Sequence, residues 1–338
     1  MKQGLKTFLK EVKKKKGWVI DTIDNCKNVD VNRIPFGVFS LDYATGGGIP
    51  QGRISLFYGH KSGSKSTSAL RLIKNAQNMG MQCVYIDQEH AFDVDWAKKV
   101  GVDEESLIMA RPETAEECID MTDALLKTGD VDFLVVDSVA AMTPSAEIEE
   151  SVEKWQQGLQ ARLVNKAVRK WVATLNAVGK IPEARVPTIL LINQIRNKIG
   201  IMFGDPETTP GGMGVGFATS MELKMWNGPA EINKETKSPV SQIMRFKVEK
   251  SKVSPPKTSG EYSIVLAETD NKSVGDVYEE DQVRKLATKY GIIFKEKGIY
   301  NVLGENGGTT IESLNNLLLK DEELFETLKN SLLDFMWG

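Results

Sequence analysis

What this chain has little of narrows its class first. Three cysteines (Cys26, Cys83, Cys118) are too few and too widely spaced for a disulfide framework or a zinc knuckle. Two histidines, His60 and His90, exclude a multi-histidine metal site. No apolar run approaches the ~20 residues that a membrane span needs. The N-terminus also lacks the apolar core of about 7–15 residues that marks a signal peptide. Neither sign of charge dominates: 43 Lys and Arg against 46 Asp and Glu leave −3, which excludes an all-over basic nucleic-acid coat and leaves local patches open. These absences predict a soluble, cytoplasmic protein that does not engage a membrane. At about 150 residues per domain, the 338 residues fit about two domains, or one large core with appendages.

What is present is unevenly placed. Residues 1–16 carry seven lysines against one acid, Glu11, with Leu5, Phe8, Leu9 and Val12 on the stripe of an amphipathic helix. That helix reads equally as a docking element for a neighbouring subunit or DNA and as a solvated end. Residues 305–338 hold seven acids against two lysines. A basic head and an acidic tail are compatible with self-association. Between them, apolar runs at 54–58, 83–87, 107–110, 133–137 and 188–193 alternate with helical periods at 66–80, 114–128 and 159–178. Alternation of this kind predicts an α/β fold, a mostly parallel sheet flanked by helices. Strand-like runs at 221–226, 243–249 and 262–266 read as antiparallel additions at one sheet edge. The expected organisation is an N-terminal basic segment at 1–29, an α/β core at 30–269 and a small C-terminal α+β domain at 270–338.

The first strand runs into Gly59, His60, Lys61, Ser62, Gly63, Ser64, Lys65, Ser66 and Thr67 and then into a helix, the setting of a phosphate-binding P-loop. Loop amides and the helix N-terminus would cradle the phosphates of ATP. Lys65 would reach the β- and γ-phosphates, and the Ser66 hydroxyl would ligate Mg²⁺. Ser64 stands where the pattern places its second glycine. If that position required a positive φ, serine would cost on the order of 1 kcal/mol. The second strand leads to Glu89, a carboxylate just past a strand end, where α/β sheets bind ligands, and so a group able to polarise water. Apolar residues 133–136 followed by Asp137 have the Walker B form, with Asp137 holding Mg²⁺ through water.

Segments 40–55, 85–93, 137–149 and 192–212 closely resemble the bacterial RecA recombinases. The likeness runs from about residue 30 to 267, and the divergence elsewhere has the pattern of a phage or mobile-element relative. The resemblance implies a RecA-like P-loop NTPase core: a DNA-dependent ATPase that forms a helical filament on single-stranded DNA. Such a filament pairs that strand with homologous double-stranded DNA in recombination and repair, with single-strand-binding and loader proteins as further partners. It implies that Glu89 activates water and that Asp93 and Trp96 bracket the adenine, with Trp96 where the family usually has tyrosine. Gln194 would sense the γ-phosphate, while Lys250 and Lys252 would reach the ATP of the adjacent subunit. Phe217 would sit at the subunit interface, where the family's preceding lysine is Gly216 here. Two loops, about 149–160 and 195–209, would touch DNA, the first with Lys154, Trp155, Gln156 and Gln157. Arg162, Arg169, Arg196 and Lys198 would contact phosphates, and Ile199, Met202 and Phe203 would wedge between bases. Two alternatives remain at this stage: a hexameric helicase on the same core, and an ATP-binding DNA filament protein that hydrolyses weakly because of Ser64.

Overall fold

The structure is a computed structural model that describes residues 3–16, 31–61, 64–149, 158–181, 183–197, 207–208, 210–254, 258–269 and 271–337. By contacts it divides into Met1–Asn32 and Arg33–Gly338. In the first unit, Gln3–Lys16 forms the expected helix, with Leu5 and Phe8 exposed.

The second unit is built on an eight-stranded sheet. In chain order its strands are β1 (Ile54–Gly59), β2 (Cys83–Asp87), β3 (Ile108–Ala110), β4 (Phe133–Asp137), β5 (Thr188–Gln194), β6 (Met221–Ile232), β7 (Pro239–Ser251) and β8 (Ser259–Val265). Their spatial order is β8-β7-β6-β1-β5-β4-β2-β3. Strands β1 to β5 are parallel, as near-continuous apolar runs require when both faces are covered. One expectation needs correction. The run from Met221 does not join as an antiparallel addition: β6 lies parallel to β1, and only β7 and β8 continue antiparallel. The chain reaches β6 after crossing back over the sheet from β5. Strand direction is thus fixed by that connection, which leaves no mark on the apolar pattern.

Successive side chains along a strand point to opposite faces. In β1, Phe57 enters one core with Tyr85, Val135 and Ile192, covered by Leu72 and Ile73 of the helix Ser64–Asn78. Leu56 enters the other with Ile86, Val136 and Leu191, covered by the helices Ala115–Thr128 and Leu159–Val178. Trp171, fully buried, is the largest side chain of that second layer. Residues after Tyr278 build a third core from the helices Glu279–Lys289, Ile311–Lys320 and Glu322–Trp337 and a three-stranded antiparallel sheet, with Val283, Ile293, Val302, Leu314 and Leu328 inside. Phe39 of the helix Phe39–Thr45 enters this core, and Ser40 N–H donates to Gln282 Oε1 at 3.0 Å, so the C-terminal region is tied to the main sheet. Among the described residues no helix is long and apolar enough to cross a membrane.

Candidate functional site

The sheet register brings the candidate residues together. Gly59 of β1 is aligned with Gln194 of β5, and Asp87 of β2 with Asp137 of β4. Four strand ends therefore face one crevice, the place where parallel sheets bind ligands. Lys61, Lys65, Ser66, Gln88, Glu89, Asp137, Gln194 and Arg196 are among the residues lining a cavity of about 750 Å³ there.

Gly59 is required by space: a Cβ at this position would come within 1.9 Å of the Met225 carbonyl oxygen. His60 and Lys61 follow it on the exposed rim, while Ser62 and Gly63 lie outside the described residues. Lys65 is 6% exposed, and its ammonium donates to the His60 carbonyl at 2.6 Å and the Gly59 carbonyl at 3.4 Å. Burial lowers its pKa, opposed by the negative charges of Asp137 and Glu89. Such a cation gains when a phosphate arrives, because the charge already lies in a low-dielectric slot.

Ser64 corrects a second expectation. It opens the helix Ser64–Asn78 and is absent from the non-glycine positive-φ positions, so no left-handed strain falls on it. Its cost takes another form: the hydroxyl is fully buried and has no hydrogen-bond partner among the described residues. Ser64→Ala should therefore raise stability by up to about 1 kcal/mol, through removal of an unpaired hydroxyl and a gain in helix propensity. Ser64→Gly should give no gain. Urea midpoints would check this, and stabilisation by glycine but not alanine would restore the left-handed reading.

The carboxylates have distinct surroundings. Asp137 is half-buried; its Oδ2 accepts from Ser66 Oγ at 2.8 Å and from the Tyr85 hydroxyl at 2.5 Å. Burial raises its pKa, those two donors pull it down, and nearby Glu89 raises it further. A carboxylate held against a hydroxyl at the cleft is the kind of donor set that Mg²⁺ fits. Among the described residues no three His, Cys, Asp or Glu side chains cluster to hold a metal ion by themselves. The ion's remaining ligands would thus be water and nucleotide phosphates, the usual arrangement for Mg²⁺.

Glu89 stands at the cleft mouth, exposed. Its Oε1 accepts from Gln194 Nε2 at 2.5 Å and from the Ser138 hydroxyl. Neither Tyr85 nor Ser138 carries a signal in the linear sequence. They become site residues because the β4–β2 register sets them beside Asp137 and Glu89. Gln88, before Glu89, is buried and anchors the turn through Nε2 to the Pro112 carbonyl at 3.2 Å.

A smaller cavity of about 110 Å³ continues between Ser66, Leu70, Phe92, Asp93 and Trp96. Asp93 caps the helix Val94–Val100 by accepting from Trp96 N–H at 2.9 Å. The indole N–H of Trp96 donates to Thr67 Oγ1 at 3.1 Å, which locks the ring against the P-loop helix. Asp93 and Trp96 are thus brought beside Ser66, as an adenine-binding wall would be.

The remaining candidates are dispersed. Arg196 Nη2 donates to the Ala140 carbonyl at 3.2 Å, so this arginine lines the larger cavity at the strand ends. Arg162 and Arg169 are exposed on the helix Leu159–Val178, and Lys166, which the sequence reading passed over, is exposed between them. Residues 150–157, with Lys154, Trp155, Gln156 and Gln157, lie outside the described residues, as do Lys198, Ile199, Met202 and Phe203. Phe217 is 77% exposed on the helix Gly212–Ala218. Lys250 and Lys252 lie at the opposite end of the sheet from Gly59: Lys250 pairs with Glu222, which pairs with Leu56 near the start of β1. The two lysines are not brought into their own chain's cleft.

A family model of the RecA N-terminal domain matches residues 3–270. The curated Protein RecA of Cutibacterium acnes is 36% identical over 333 residues, covering 98% of this chain and 91% of the relative. That of Mycobacteroides abscessus is 37% identical over 303 residues, 89% of this chain and 83% of the relative. That of Syntrophus aciditrophicus is 37% identical over 304 residues, 90% and 84% of the respective chains.

Proposed function

Because the chain belongs to the RecA family of recombinases, we propose that it is a DNA-dependent ATPase that assembles as a helical filament on single-stranded DNA and pairs it with homologous duplex. The hexameric-helicase alternative draws no support from this membership. ATP is the substrate. Ser66 and, through water, Asp137 would hold Mg²⁺, which when bound with the phosphates offsets the charge that develops on them.

The residues of this chain divide the work. Glu89 orients the attacking water and accepts its proton. Lys65 turns its ammonium from the Gly59 and His60 carbonyls onto the phosphates. Trp96, held by Thr67, offers a face to the base. Lys250 and Lys252, placed away from their own cleft, serve a neighbour's nucleotide, and Phe217 packs in the same interface. Single-strand-binding and loader proteins act on the filament from outside, in the cytoplasm.

One observation carries the coupling between ATP and DNA: the 2.5 Å contact from Gln194 to Glu89. The water-orienting carboxylate touches the last residue of the strand from which the second loop departs. A γ-phosphate that draws the Gln194 amide away releases the carboxylate and repositions the start of the loop in one step, a two-state link of the kind that nucleotide switches use.

The DNA side of the proposal is tested by salt dependence. If Arg162 and Arg169 contact phosphates, each alanine variant should weaken binding alike on all sequences. Each should also reduce the slope of log K against log salt by about 0.7. Titration of labelled poly-dT at several salt concentrations with ATP measures this. Unchanged slopes would move the DNA site elsewhere, the lysine-rich N-terminal helix being the next candidate.

A further inference from the structure

The acid at the end of β4 is held from inside the sheet. Tyr85 and Asp87 of β2 pair with Val135 and Asp137 of β4. Residues two apart share a face of a strand and lie about 6.6 Å apart along it. A tyrosine beside Val135 that leans along the strands therefore brings its hydroxyl level with Asp137. Here that hydroxyl donates to Asp137 Oδ2 at 2.5 Å. Phenylalanine would fill the same space without making the bond, since the donor is the terminal oxygen.

The ring is fixed by the core rather than by the cleft. Every residue of Cys83–Asp87 is buried, and Tyr85 is 3% exposed, packed in one core with Phe57, Val135 and Ile192. Phe92 meets it edge-on, with ring centroids 4.8 Å apart and planes at 68°. Phe92 directly precedes Asp93, and both line the smaller cavity together with Tyr85, Asp137 and Ser66. Ser66 Oγ donates to the same Asp137 oxygen at 2.8 Å. Two donors that converge on Oδ2 from different elements fix the plane of the carboxylate. The Ser66 hydroxyl, with its proton engaged there, keeps its lone pairs for a metal ion.

Resting on the reading of Ser66 and Asp137 as the Mg²⁺ site, we infer that Tyr85 is a positioning residue for that site: its hydroxyl holds the Asp137 carboxylate in the orientation from which it engages a water of the metal's shell. A merely structural tie would have no need of this acceptor, because backbone pairing already joins β2 to β4 from Cys83 to Asp87. The bond falls instead on the carboxylate that also holds the P-loop helix hydroxyl. Hydrogen bonds to an ionised acceptor are short and about twice as strong as neutral ones, so this one governs how the carboxylate turns. Partners outside a metal's own ligands set the direction of those ligands, and with it the affinity for the ion.

The test reads nucleotide binding rather than turnover, on the full chain without DNA. A fluorescent ATP analogue is titrated in EDTA and then at a series of Mg²⁺ concentrations, for wild type, Tyr85→Phe, Asp137→Asn and the double variant. Tyr85→Phe keeps the ring and removes only the hydroxyl. It should raise the Mg²⁺ concentration for half-maximal effect about tenfold, while binding in EDTA stays at the wild-type level. The double variant should respond to Mg²⁺ no more weakly than Asp137→Asn, because the hydroxyl acts only through that carboxylate. An unchanged Mg²⁺ dependence in Tyr85→Phe would overturn the inference. So would an equal loss of binding with and without Mg²⁺, or additive effects in the double variant. A wild-type Mg²⁺ dependence in Asp137→Asn would instead overturn the reading of the metal site, and the inference with it.

Discussion

Replacing Lys65 with alanine should abolish ATP hydrolysis, with a loss on the order of 10³-fold or more, the scale of a charge clamp on a transferring phosphoryl group. Lys65 is the buried cation of the cleft, 6% exposed, and the motif offers no second point charge at that depth. Lys65→Arg should not rescue, because a planar guanidinium fork does not reproduce the compact ammonium held between the Gly59 and His60 carbonyls. The fold should survive, since the lysine bears a desolvation cost that alanine removes. Normal turnover in Lys65→Ala, measured by phosphate release, would show that another residue holds the phosphates.

The second large effect belongs to Glu89→Gln. The substitution keeps an oxygen that can accept from Gln194 and Ser138, so the local geometry is preserved while the charge is lost. Hydrolysis should slow by about 10²-fold or more, the contribution of a positioned base, with ATP binding retained. Filaments on single-stranded DNA should then persist far longer than in wild type, because the state that holds them is no longer consumed. Loss of ATP binding instead would make Glu89 a structural residue.

Much of this site is written locally in the sequence. The P-loop, Asp137 and Glu89 each follow an apolar strand directly, so motif and strand end are read in one window. The sheet's parallel half is legible for the same reason. What is not legible depends on register between distant segments. Tyr85 reaches Asp137 across 52 positions, and Ser138 reaches Glu89 across 49; nothing in either local pattern names its partner. Arg196 reads as a loop cation, yet its fork reaches the Ala140 carbonyl beside the cleft. Lys250, which the resemblance assigns to the adjacent subunit's ATP, in the fold donates to the Gly216 and Thr219 carbonyls at the end of the Gly212–Ala218 helix, a tie between segments that no local pattern marks. Ser64 shows the limit of motif arithmetic. A glycine in a pattern suggests a conformation, but a side chain already in helical backbone carries a packing cost instead.

If Gln194 links Glu89 to the loop that follows it, DNA and hydrolysis should be coupled through this one side chain. The measurement that tests it most directly is phosphate release at saturating ATP, with and without poly-dT, for wild type and Gln194→Ala. Wild type should be strongly stimulated by DNA, and Gln194→Ala should retain ATP binding with the stimulation lost. Equal stimulation in the two proteins would contradict it.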